Sequence, residues 1–396
     1  MLDIGGVGIA VSPGNVRIAG NDITGATASS GLGGGGVLLT LGSAPGGRAL
    51  IADNTIRHVG PFGIAWSGAP GSVEVRANRL GQIAEYGIVG AFSSRLELAD
   101  IRDNTVEEVV AARARAAYAI QVVGARVAEV RANAISDVGT SATSASCAGI
   151  LVAGCRVAQV TDNVLMRIGP ASEHTGVVYG IAYGGRLETL DIRGNVVELG
   201  QALEGGNDIA VLVGLDGDPI AGLRGMIVGA NDHLVTLREA VLRSNPSVML
   251  PFSERARTVR IAGFLAAPEE IGTDPVPPRA GDVAVVDNVL RTTSAMPLAL
   301  IETTANVTFA QNRVARESEL AGTPAVLAVT PGAMIVSSNR VEVSTESEVP
   351  AIALFVDAAN DKQLPHCTVL GNISSRLIWL NDAPLGGPWK PLNIVA

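Results

Sequence analysis

Along most of the chain, apolar and polar side chains alternate in short runs that end at an asparagine. VEVRAN closes at Asn78, ADIRDN at Asn104, AEVRAN at Asn133 and LDIRGN at Asn195. The position three residues before the asparagine is apolar each time, as at Ile18, Ile51, Val75 and Ile101, and the position five before is never charged. Between them stand Glu74, Asp100, Glu129 and Asp191. This period-two alternation predicts a strand with one buried face. Two residues after the asparagine comes another apolar column: Ile23, Ile56, Leu80, Val106, Ile135, Leu165 and Val197. A further strand is predicted around a Gly-Ile or Ala-Ile pair, at residues 63–64, 87–88, 119–120, 149–150 and 180–181.

The asparagines recur as Asn21, Asn54, Asn78, Asn104, Asn133, Asn163 and Asn195, then Asn288, Asn312, Asn339 and Asn372. With Asn231 and Phe264 bridging the gap, the spacings run from 24 to 36 residues. Repeats of that length, without an amphipathic helix long enough for a β-α-β unit, predict the coils of a parallel β-solenoid. Stacked about 4.8 Å apart, about 12 to 13 coils make a rod on the order of 60 Å long. An inward asparagine on each coil can stack on the next, its amide satisfying turn backbone and the neighbouring amide. Asparagine also tolerates the left-handed conformation of tight turns, which accounts for its place at the strand exit.

Residues 1–396 read as a single such domain, with irregular coils and loop insertions at 205–282 and a C-terminal cap at 373–396. Inside the irregular stretch, LREAVLR suggests a short helical turn and APEEIGTDPVPPRAGD a proline-rich loop. The final segment carries two of the three tryptophans and is expected to cover the last coil, because an open solenoid end exposes core and strand edges. The opening stretch MLDIGGVGIAVSPGNVRIAGN already lies within the repeat. That points to an excised domain, or to an N-terminal part that would cover the first coil.

The motifs VEVRANRL, ADIRDNTV, AEVRANAI and LDIRGNVV resemble the asparagine-laddered coils of the right-handed parallel β-helix superfamily of pectate-lyase-like proteins. The likeness spans nearly the whole chain. It implies an all-β, single-stranded right-handed parallel β-helix, with the hand taken from the resemblance alone. The motifs specify architecture and no chemistry.

Composition narrows the function classes. Hydrophobic residues make up 47% of the chain but aromatics only 3%, and glycines number 47, so the core must be Val, Ile, Leu and Ala close to tight turns. The net charge is -9, and lysine occurs only at Lys362 and Lys390, which argues against a nucleic-acid partner. No run of about 18 apolar residues occurs and no signal-peptide pattern opens the chain, so no membrane insertion is expected. Localisation stays open, with an extracellular or particle-associated setting as the expectation. Cys147, Cys155 and Cys367 follow no metal-ligand spacing, and their odd number rules out full internal pairing. They read as buried free thiols.

Candidate chemistry gathers in three places. Tyr86, Tyr118 and Tyr179 directly precede the Gly or Ala of the Gly-Ile strand, Tyr183 follows its Ile, Phe62 shares the pre-glycine column and Trp66 lies close by. Stacked on successive coils, these rings form either an aromatic platform for sugars or an aromatic stack inside the core. The acids Glu74, Asp100, Glu129 and Asp191 lie two residues from Arg76, Arg102, Arg131 and Arg193, and an exposed ion-pair ladder is the simpler account of them than paired catalytic carboxylates. Asp208, Asp216 and Asp218, with His174 about one coil earlier, are weak candidates for a catalytic or calcium site, against which stands the ordinary use of Asp in glycine-rich turns. No metal site is expected, no cofactor is called for, and no motif supports calcium.

Two functions fit these features. The first is a non-enzymatic extended scaffold or recognition domain: a shaft, spike or surface-binding part of a larger bacterial or phage-like assembly, with glycan binding as an option. Its partners would be other parts of the same chain or assembly, a polysaccharide, and two further copies in a homotrimer. The second is a polysaccharide lyase or glycoside hydrolase acting in a lateral groove, as many β-helix proteins of the resembling superfamily are.

Overall fold

The computed structural model describes residues 6–11, 14–26, 34–41, 46–68, 71–91, 96–110, 116–139, 146–170, 178–184, 187–200, 208–214, 260–261, 264–265, 281–294, 296–303, 305–318, 323–330, 332–344, 349–356, 366–381 and 383–395. Within them the chain is an all-β parallel solenoid. It winds through three sheets in turn. Sheet 1 has 13 strands, from Val7–Val11 to Ala383–Pro384; sheet 2 has 11, from Val16–Ala19 to Cys367–Leu370; sheet 3 has 12, from Asp22–Thr24 to Ile394–Val395. The pairings within these sheets are parallel, apart from a closing antiparallel pair, Ile378–Leu380 with Ala383–Pro384. No helix among the described residues is long and apolar enough to cross a membrane.

The expected strand columns align in register: Val75 with Ile101, Ile101 with Val130, Val106 with Ile135, and Ile88 with Ile120. Their side chains meet in one interior core running from Ile18 to Ile378. Aliphatic residues dominate it because each coil offers only a thin cross-section, into which a bulky ring fits where a neighbour gives way. Trp66 is such a ring: its register partner is Gly90, where an added Cβ would stand 2.2 Å from Trp66 Cζ2.

The asparagine ladder is continuous. The Asn133 amide nitrogen donates to the carbonyls of Ile101 and Arg131, both at 3.0 Å, and to Asn163 Oδ1 at 2.9 Å. Its own Oδ1 accepts the backbone N–H and the amide of Asn104, both at 3.0 Å. The same pattern of amide-to-amide bonding repeats from Asn54 to Asn372, so each buried amide is satisfied by the coils on either side. At the C-terminal end Asn393 adds a rung: Asn372 donates to its Oδ1, while its own amide turns to the carbonyls of Val369 and Trp389.

Two expectations are corrected. The left-handed residue at the strand exit is the one before the asparagine: Asp53, Ala77, Asp103, Ala132, Asp162 and Asp287 have φ between 53° and 58°, and the asparagine itself is chosen for its amide. The gap is also bridged differently. Asn195 donates its backbone N–H and its amide to Asn288 Oδ1, each at 3.0 Å, although 93 residues separate them. Phe264 belongs instead to a two-stranded antiparallel hairpin, Phe264–Leu265 with Arg260–Ile261, outside the three sheets. Asn231, LREAVLR and all but the last two residues of the proline-rich loop lie outside the described residues.

Candidate functional site

The chemistry-bearing columns of sheet 2 face outward and are neutralised along the rod. Asp100 is in register with Glu74 and Glu129, and Arg102 with Arg76 and Arg131. Arg102 bonds Glu74 on the preceding coil at 2.5 Å and Asp100 on its own at 3.0 Å, while Arg131 reaches Asp100 at 3.5 Å and Glu129 at 3.7 Å. Acid and base therefore zigzag from coil to coil.

The sequence-predicted aromatic column divides. Trp66 and Tyr183 point into the solenoid and join its core, with the Tyr183 hydroxyl donating to the Cys155 carbonyl. Phe62, Tyr86, Tyr118 and Tyr179 fall on the outer face of sheet 1 although they stand two residues before an inward isoleucine, because the alternation breaks at the intervening Gly or Ala: a Cβ added at Gly63, Gly87 or Gly180 would meet the core side chains Leu80, Val106 or Val197. There Phe62 and Tyr86 cluster with Ala65 and Val89, and Tyr179 with Ile209, Leu212 and Phe355. Tyr86 and Tyr118 meet edge to face, centroids 5.9 Å apart. That outer face is nonetheless covered: Phe62, Tyr86 and Tyr179 are buried and Tyr118 is half-buried. Burial pushes the Tyr118 and Tyr179 phenols above their ordinary value.

Of the four weak catalytic candidates, Asp208 alone is placed; His174, Asp216 and Asp218 lie outside the described residues. Asp208 heads the strand Asp208–Gly214, all of whose residues are buried, and is itself 0% exposed. Its backbone N–H donates to Ser294 Oγ at 3.3 Å on the following coil. Its charge adds to the burial that pushes the neighbouring Cys147 thiol up to about 12. Cys155 and Cys367 are likewise pushed up to about 12 by burial, and the three cysteines are buried free thiols.

Asp208 leads to residues that sequence reading missed. The last inward position of sheet 3 is held by Val59, Ile83, Val109, Val138, Ile168 and Leu199 on successive coils, all buried. After the 215–280 stretch the same position holds Thr292, then Arg316, then Val343. A guanidinium thus stands in an aliphatic column. Hydroxyls gather in the same corner: Thr292, its register partner, accepts the Ser294 N–H at 3.0 Å, Ser294 Oγ accepts the Met296 N–H at 3.2 Å, and Ser318 and Thr323 follow Arg316 in sequence. All six polar side chains, Asp208 through Thr323, are buried. Carrying the count to the fifth residue after each asparagine, or the fourth from Asn195 onward, would have exposed the change from Ile and Leu to Thr and Arg.

The change of count has a cause. In the earlier coils the fourth residue after the asparagine is an extra left-handed one: His58, Gln82, Glu108, Asp137 and Arg167 have φ between 52° and 58°. From Asn195 onward that residue is lost, and the register shifts between Met166 and Ile168 where the two coil types meet. The polar corner begins in that same coil, at Asp208.

Among the described residues no group of three or more His, Cys, Asp or Glu is placed to hold a metal ion. No protein-family model matches the chain, and neither curated proteins nor solved structures give a match. The parallel β-solenoid with its buried ladder is what the geometry establishes, and that fold is consistent with a scaffold or binding role.

Proposed function

We propose that the chain is a non-enzymatic scaffold or recognition domain, a shaft or surface-binding part of a larger assembly, built on the pattern of the pectate-lyase-like β-helix proteins it resembles. One observation carries the reading: its repeated polar side chains are engaged with the neighbouring coil. The asparagines bond one another, and the acids and arginines of sheet 2 bond one another across coils. The side chains best supplied to do chemistry along the rod are thereby held in the work of building it. What remains for a partner is a long lateral surface of alternating charge, which suits contacts that form and dissolve with ionic strength.

The test incubates the purified chain with acidic and neutral polysaccharides and follows new reducing ends and the ultraviolet absorbance of unsaturated uronates. The expected result is no turnover above buffer. Depolymerisation at a substantial rate would overturn the scaffold reading in favour of a lyase or hydrolase. A polysaccharide array read at low and high salt then asks whether any glycan binds the lateral face.

A further inference from the structure

Arg316 presents an electrostatic problem that the fold does not solve by itself. It is 2% exposed, and its one side-chain contact among the described residues is a long hydrogen bond, 3.5 Å, from Nη1 to Thr323 Oγ1. Among the described residues its Nε has no acceptor, and the Ser318 hydroxyl, 1% exposed, also lacks a partner. A buried Lys or His in this position could shed its proton; an arginine cannot. Burial lowers Arg316 only to about 10, so it stays charged at neutral pH. An isolated buried charge is among the most unfavourable things a core can hold unless an opposite charge meets it.

The buried carboxylates Asp208 and Glu302 do not serve: neither bonds Arg316, whose shift has burial as its only cause. Asp208 belongs to a strand two coils earlier, a separation of about 10 Å at ordinary strand spacing. Its backbone N–H bonds Ser294 Oγ, and its charge is felt at Cys147. Thr292 and Ser294 stand between the two coils.

We infer that Arg316, Ser318 and Thr323 form a binding site for a small oxyanion: a phosphate, sulfate or carboxylate group. The guanidinium fork offers donors in the planar arrangement that matches such groups, and the buried Ser318 hydroxyl, two residues along, offers another. The ligand would supply the negative charge that the aliphatic column cannot. Shared oxyanion chemistry has two sources here, a free inorganic ion or the carboxylate of a larger acidic molecule such as a uronic acid.

The test uses the full chain, exchanged into an oxyanion-free buffer. Isothermal titration and thermal unfolding are read with inorganic phosphate, sulfate, acetate and galacturonate, against sodium chloride at equal ionic strength. The expected result is saturable binding near one per chain and a raised melting temperature with at least one of the four. Arg316→Met should weaken that binding more than tenfold; it keeps the side chain's length and restores an apolar column. Ser318→Ala, a small change that leaves the charge in place, should weaken it several-fold and guards against a misfolded methionine variant. Response to phosphate or sulfate alone assigns a free ion, and response to acetate or galacturonate alone assigns a carboxylate ligand. Absence of saturable binding by all four, or binding unchanged in both variants, would overturn the site.

Discussion

Asn133 is a convenient rung at which to measure what the ladder contributes. Replacing it with alanine removes the acceptor for two Asn104 donors and the donors for the carbonyls of Ile101 and Arg131, at a position that is buried. With an unmet buried group costing about 1–3 kcal/mol, Asn133→Ala should destabilise by about 3–5 kcal/mol in urea unfolding. Asn21→Ala, at the half-buried first rung, should lose about 1 kcal/mol or less, because water can replace the missing amide. Equal losses at the two positions would mean that rungs are not cooperative with their burial. A second residue-level test concerns Gly90 and Trp66. Gly90→Ala should cost about 1–3 kcal/mol through overpacking, and the loss should largely disappear in a Trp66→Leu background.

At the scale of the strand, the sequence was informative where side chains answer to burial alone. Period-two alternation marked sheet 2, and the apolar residue two after each asparagine marked sheet 3: the apolar positions repeat without exception in the first seven coils, and the position between the two sheet 2 columns is polar in all of them but one, at Leu50. The extra left-handed residue at His58, Gln82, Glu108, Asp137 and Arg167 was not legible. It carries no common side chain, and its conformation is set by the register of the coil around it. Arg316 was hidden for the same reason, since the count from the asparagine changes by one just before it. One of those left-handed positions gives a pH test. The hydrogen bonds from Arg167, at 2.6 and 2.7 Å, hold the Asp137 carboxyl below its usual range, against an opposing effect of burial. A carboxyl whose value is depressed by folding adds stability above its unfolded value, near 3.9, and loses it as the pH falls through the folded value. The melting temperature of Asp137→Asn should therefore lie below that of the natural chain at neutral pH, and the difference should close as the pH drops below about 4. A gap that persisted at low pH would assign the effect to something other than this ion pair.

Across the whole molecule, the coils depend chiefly on their neighbours, so protection from hydrogen exchange should be greatest near Asn133 and Asn163 and decline toward both ends. The C-terminal end should hold better than the N-terminal one, because Asn393 closes the ladder onto Trp389 while the Asn21 amide, among the described residues, bonds only Asn54 and the Ala19 carbonyl. Uniform protection along the rod would instead indicate a single cooperative unit. The bond between Asn195 and Asn288 has a further consequence. Chain length between two rungs is not what the rod measures; it measures only whether the chain returns in phase. Replacing residues 216–279 with a flexible Gly/Ser linker should accordingly leave the sheet content and the melting temperature nearly unchanged. The rod then behaves as a thread with a locking pitch, on which cargo of almost any size can be hung between one turn and the next without the screw losing its place.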